Sequence, residues 1–134
     1  MSDQSDTPLS KKLGIGGNSR VTFINAPNGF RESLNPLPKG VKIIGVQKPI
    51  DVIVFFPKSH EELSNKFAKL AEKLSPNGKF WIAWPKKTSG VETDLSFEVV
   101  QQTGLSAGLV DNKVCAIDEV YSGLCFVIRL EERG

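Results

Sequence analysis

At 134 residues, 40% of them hydrophobic and 24% charged, the chain is long enough for one domain with a buried core and too short for two. Seventeen Lys and Arg against fifteen Asp and Glu leave a formal charge of +2, which gives no ground for expecting nucleic acid or an anionic membrane as a partner. No apolar run nears the roughly 20 residues of a membrane span, and the two cysteines have neither metal-ligand spacing nor a Cys/His partner.

Residues 1–10, MSDQSDTPLS, are polar and aperiodic. They predict a mobile tail with no signal peptide, ahead of a single domain over residues 11–134 in a reduced, cytoplasmic protein. Gly14, Gly16 and Gly17 precede the first strand, whereas a phosphate-binding glycine loop follows one, so they predict a turn. Val21 to Ile24 reads as that strand. Asn25-Ala26-Pro27-Asn28-Gly29 follows, with Asn28 as N-cap of a short helix through Phe30 and Leu34 that Pro36 and Pro38 keep short. A second strand is expected over Val41 to Val46. A third, Ile50 to Phe56, is apolar except at Asp51, the pattern of a parallel strand covered on both sides.

The clearest helix begins at Ser59, whose spacing to Glu62 makes a capping box. Leu63, Phe67, Leu70, Ala71 and Leu74 fall on one helical face. Glu62 can pair with Lys66, and the helix lysines read as a solvated surface. Ser75-Pro76-Asn77-Gly78 is expected to stop this helix and turn the chain. The fourth strand, Phe80 to Trp84, is wholly apolar and ends at Pro85. Its tryptophans read as core residues. A cationic, hydroxyl-bearing loop leads from it to an N-cap at Ser96, with Leu95 stapled to Val100 and Gly104 closing the helix. Lys113 to Ile117 and Gly123 to Leu130 are joined so closely that they must form an antiparallel hairpin. A turn near Val120 would set Cys115 opposite Cys125; the cytosolic reading predicts free thiols.

This order predicts an α/β domain: a Rossmann-like, mostly parallel sheet with helices on both faces and a C-terminal antiparallel hairpin. In Asp51 to Phe55, Leu74 to Phe80 and the closing hairpin the chain resembles a truncated class I methyltransferase fold, with one strand–helix unit missing. That resemblance implies a transferase using S-adenosylmethionine. The loop after the first strand departs from the family pattern, however, with one glycine, a proline and no carboxylate, and Gly45 to Gln47 lack the acid expected after the second strand. No cofactor is therefore predicted. Leu13-Gly14-Ile15, Asn25-Ala26-Pro27, Trp84-Pro85-Lys86-Lys87, Thr93-Asp94-Leu95 and Val114 to Glu119 also resemble a small bacterial family classified only as a domain of unknown function. That resemblance implies a bacterial origin and no particular activity.

Ligands of open parallel sheets sit at the carboxyl ends of the strands. That edge should collect Asn25, Asn28, Gly29, Lys58, Trp84, Lys86, Lys87, Thr88, Ser89, Asp94, Asp118 and Glu119. With the amides of helix starts, such a rim suits an anion. Lys86 and Lys87 could instead pair with Asp94, Asp118 or Glu119 and pin the loop to the hairpin. His60, the only histidine, should be exposed in a first helical turn that faces the same rim. No nucleophile has a recognisable base beside it, and no catalytic or metal-binding residue is assigned. The preferred reading is a non-catalytic Rossmann-like module binding a protein partner or a small anionic ligand. The alternative is a divergent methyltransferase-like or other transferase.

Overall fold

The computed structural model describes residues 7–133. Its elements are α1 (Leu9–Lys12), β1 (Arg20–Ile24), α2 (Phe30–Ser33), β2 (Lys42–Ile43), β3 (Ile50–Phe55), α3 (His60–Ala71), β4 (Leu74–Pro85), α4 (Phe97–Ser106), β5 (Val110–Ala116) and β6 (Tyr121–Val127). They build one six-stranded sheet in the order β2-β1-β3-β4-β6-β5. The first four strands in that order run parallel, while β6 is antiparallel to both β4 and β5. The architecture is the predicted one, and strand alternation explains its two cores. Phe80, Ile82 and Trp84 of β4 face α3 and α4 with Leu63, Phe67 and Val100. Trp81 and Ala83 face the opposite side, where α1 and α2 supply Leu13, Phe30 and Leu34. Both faces of β4 are thus dry, which is why the strand carries no polar residue over Phe80 to Trp84.

Local chemistry moves several boundaries. Leu9 and Ser10 belong to α1, and Ser10 is buried, so the tail does not extend to residue 10; residues 1–6 lie outside the described residues. Asn28 does not cap α2. Gly29 holds the N-cap position at φ 88° with no side-chain cap, and the helix is one turn long. The second strand shrinks to Lys42–Ile43, both exposed, while the flanking Val41 and Ile44 pack partly against the two cores. Ser75 to Gly78 do not end a helix; α3 stops at Ala71 and β4 already begins at Leu74. The register runs Ile50 to Leu74 and then Val52 to Lys79, so these residues bulge out of the strand. The Ser75 hydroxyl donates to Asp51 Oδ1 at 3.0 Å, while Asp51 Oδ2 accepts from the Arg20 N–H at 2.9 Å. The one polar residue of β3 therefore ties three strands together.

Gly104 does not close α4. The helix continues to Ser106, and Gly108, at φ 93°, is the residue that leaves it. Leu109 N–H donates to Gly104 O and Gly108 N–H to Leu105 O, the double bond pattern of a Schellman ending. Gly104 is required inside the helix for a different reason, since a Cβ there would overlap the Phe126 ring.

The hairpin register also separates the cysteines: Cys115 faces Gly123, and Cys125 faces Lys113. The turn is centred one residue earlier than the pairing of the two cysteines required, and both are free. Burial raises the Cys115 thiol and pushes that of Cys125 up to about 12, so neither is an activated nucleophile.

Candidate functional site

The carboxyl end of β4 opens into a crevice of about 1280 Å³. Its floor begins at Trp84, only 6% exposed, whose ring lies 6.4 Å from that of Phe97 at the start of α4. Lys86, Lys87 and residues 91–96 of the following loop form the wall, and short bonds fix the loop. Lys86 N–H donates to Val120 O at 2.8 Å, which locks the loop to the hairpin. A 3-10 turn over Lys87–Ser89 follows, with the Ser89 hydroxyl on Lys86 O at 2.7 Å and Gly90 at φ 79°. Leu95 N–H donates to Thr93 Oγ1 at 3.0 Å, and Ser96 Oγ caps α4 through Val99 N–H at 3.2 Å. A polar loop on a dry strand is thereby held without a salt bridge.

Of the predicted residues, this crevice gathers Lys58, Trp84, Lys86, Lys87 and Asp94. The pairing expected for the lysines is not formed. Among the described residues the only ion pair is Lys66 with Glu62, at 2.8 Å, and neither Lys86 nor Lys87 has a carboxylate oxygen within 4.0 Å. The acids proposed as partners have other tasks. Asp94 Oδ1 accepts from His60 N–H at 2.8 Å. Asp118 Oδ1 accepts from the N–H groups of Val120 and Tyr121 at 2.8 and 2.7 Å, closing the hairpin turn. Glu119 is exposed at the same turn. Asp118 and Glu119 do not line the crevice, and neither do Thr88 and Ser89. The helix starts are not open amides either, since Ser59 Oγ receives Glu62 N–H at 3.0 Å while Asp94 takes that of His60. An acid there already complements the dipole of α3. His60 is exposed as predicted, but it does not line this crevice. It lies in a neighbouring groove of about 670 Å³ between α3 and α4.

Asn25, Asn28 and Gly29 sit elsewhere, after β1. Asn25 adopts a left-handed backbone, φ 62°, and its amide nitrogen donates to Phe56 O at 3.1 Å and to both Glu62 oxygens at 3.2 and 3.0 Å. Glu62 also accepts from Lys58 N–H at 2.7 Å. Hence the capping box is half formed: Ser59 caps Glu62, while the Glu62 carboxylate turns to Lys58, Lys66 and Asn25. Burial alone would raise this carboxyl, but bonds from Lys66, the Lys58 N–H and Asn25 outweigh it and lower the pKa to about 2. This clasp joins the ends of β1 and β3, the point in the sheet where the strand order reverses and where ligands of such sheets usually bind.

The clasp has a measurable signature. Because its folded pKa lies below the unfolded value of 4.5, Glu62 stabilises the fold fully above about pH 5, and this contribution is lost as pH falls towards 2. Glu62→Gln is expected to cost about 1–2 kcal/mol at pH 7, since Lys66 is half exposed and adds little. In urea titrations at pH 7 and pH 3 the gap between wild type and variant should narrow at the lower pH. An equal gap at both would remove the ionised clasp.

Apart from Trp84, sequence reasoning missed the apolar members of the crevice. Val91, in the loop after β4, and Val114, on β5, line it at 49% and 55% exposure. For Val91 the available signal was a valine isolated among loop residues; Val114, a strand residue of the hairpin, gave none. Glu92, Glu98 and Ser122 line the same space.

Solved structures share this architecture at low identity. A SAM-dependent methyltransferase from Aquifex aeolicus matches with a TM-score of 0.57 and 18% identity, over 95% of this chain and 90% of its own. The chain shares the Rossmann-like fold of that methyltransferase. A methyltransferase from Pyrococcus furiosus superposes at 0.56 with 15% identity, covering 94% and 82% of the two chains. A protein from Pyrococcus horikoshii gives 0.61 at 11% identity, covering 91% and 87%. No family model matches the chain, and no curated protein matches its sequence. The methyltransferase fold here lacks an acidic, glycine-rich loop after β1 and carries the Asn25–Glu62 clasp in its place.

Proposed function

We propose that this chain is a methyltransferase-like protein that binds a small anionic ligand in the crevice at the end of β4. One observation carries the reading: Lys86 and Lys87 stand beside a large crevice on a loop whose backbone is fixed by hydrogen bonds, with no carboxylate within 4.0 Å among the described residues. A cation carried on a fixed backbone and without a partner is placed to receive one. Two readings exist for the step after binding. The fold shared with methyltransferases favours a divergent transferase, and it favours this over a module without chemistry. The clasp at the strand-order reversal, and the loop without an acid, favour a binding module that does not take S-adenosylmethionine in the usual place. The resemblance to the small bacterial family fits either.

A thermal-shift screen with S-adenosylmethionine, nucleotides and sugar phosphates tests the binding reading. A ligand at 100 times its dissociation constant should stabilise by about 2.7 kcal/mol. Lys86→Ala and Lys87→Ala should leave the unliganded melting point within about 0.5 kcal/mol of wild type, because no ion pair is broken. Both should abolish the ligand-induced shift. A large loss of stability without ligand would instead assign the lysines to the fold. Calorimetry with S-adenosylmethionine separates the two readings: micromolar binding supports the transferase, and no binding supports the module.

A further inference from the structure

The charges and apolar surface around the β4 crevice restrict the anion further. Three lysines line it, Lys58, Lys86 and Lys87, but so do three carboxylates, Glu92, Asp94 and Glu98. None of the six is in an ion pair among the described residues. By count the lining is neutral. The Debye length is about 8 Å at physiological salt, so a group bound among these residues feels charges of both signs. A polyanion would gain from the lysines and lose by a similar amount to the carboxylates. A single negative charge can sit against the lysines while the rest of the ligand avoids the acids.

The rest of the lining combines four hydroxyl residues, Ser59, Thr93, Ser96 and Ser122, with a group of apolar side chains. Trp84 and Phe97, with rings 6.4 Å apart, line it together with the buried Leu95, and Val91 and Val114 line it half exposed. These two valines leave apolar surface in water that the fold does not cover. Apolar contact with a ligand would remove it at about 25 cal/mol per Å². Sites for small molecules combine such walls with a few placed polar groups.

We infer that the crevice takes an apolar monocarboxylate, a ligand with one carboxylate at Lys86 and Lys87 and an aryl or alkyl body against Trp84, Val91 and Val114. The inference rests on the anion-binding reading above and narrows its ligand class. It excludes nucleotides and inorganic phosphate as preferred ligands.

Calorimetry with the full chain tests it, using indole-3-acetate and octanoate as monocarboxylates, and ATP and inorganic phosphate as the comparison. Both arms are repeated on Lys86→Ala/Lys87→Ala and on Val114→Asp, an exposed position whose substitution leaves the core intact. The expected result is binding of at least one monocarboxylate about tenfold tighter than either phosphate compound. The lysine pair and Val114→Asp should each weaken it by about tenfold or more. Lysine-dependent binding of ATP or phosphate with equal or higher affinity would overturn this inference and leave the anion site standing. Monocarboxylate binding that Val114→Asp does not change would overturn it in the same way. If no compound of either arm binds, or binding ignores both lysines, the anion site and the inference fail together.

Discussion

Trp81→Ala is expected to lower stability by about 4 kcal/mol, the upper part of what losing a large buried side chain costs. Trp81 is fully buried at the centre of the sheet, between the strands that carry both sides of the site. Its Nε1–H donates to Leu13 O at 2.9 Å, across 68 residues of sequence, and this bond holds the end of α1 against β4. Truncation therefore opens a cavity and also strands a carbonyl. Trp81→Phe separates the two effects. It keeps most of the volume and should cost about 1–3 kcal/mol, the penalty for an unpaired buried acceptor. Urea unfolding measures both. A loss below about 1 kcal/mol for the alanine variant would mean that this core rearranges freely, contrary to the packing described. Trp84, three residues on, belongs to the opposite face and to the crevice. Its removal should affect ligand binding, whereas Trp81 should act on stability alone.

Gly104→Ala should destabilise the protein, although helix propensity by itself would favour alanine by about 1 kcal/mol. An added Cβ meets the edge of the Phe126 ring, which is fully buried and held edge-on against Phe67 at 5.3 Å. That ring cannot step aside without disturbing the core shared by α3, α4 and β6. Overpacking of this kind costs about 1–3 kcal/mol, and Gly104→Val should cost more. A second change, Phe126→Leu, should recover part of the loss in the alanine variant, because it removes the ring edge that the Cβ meets. Thermal or urea melts of the two single variants and the double variant give this coupling directly. The same strain should reach the site: the start of α4 supplies Ser96 and Phe97 to the crevice, so ligand binding should weaken along with stability. A stabilised Gly104→Ala would show that α4 is free to lift from the sheet.

Elements whose signal is local and strong are legible in the chain alone. The face of Leu63, Phe67 and Leu70 with a serine cap made α3 legible, and an all-apolar run made β4 legible as a central strand. A short connection made β5 and β6 antiparallel. All three of the site's lysines, with Trp84 and Asp94, were legible as well, because the lysines follow buried strands whose ends must reach the rim. Which groups meet depends on the folded arrangement. Two glycines near the end of α4 look alike in sequence, and only the Phe126 ring separates the packing glycine from the one that terminates the helix. Asp94, Asp118 and the lysines are equally able to pair on charge. Backbone amides claim the first two, because an N–H already in place nearby costs no side-chain ordering, whereas a lysine must be immobilised along its whole length. Asn25 and Glu62 are 37 residues apart, and the sheet order brings them together. A one-residue change in the hairpin turn separates Cys115 from Cys125, since register follows turn geometry and not the identity of the residues it aligns.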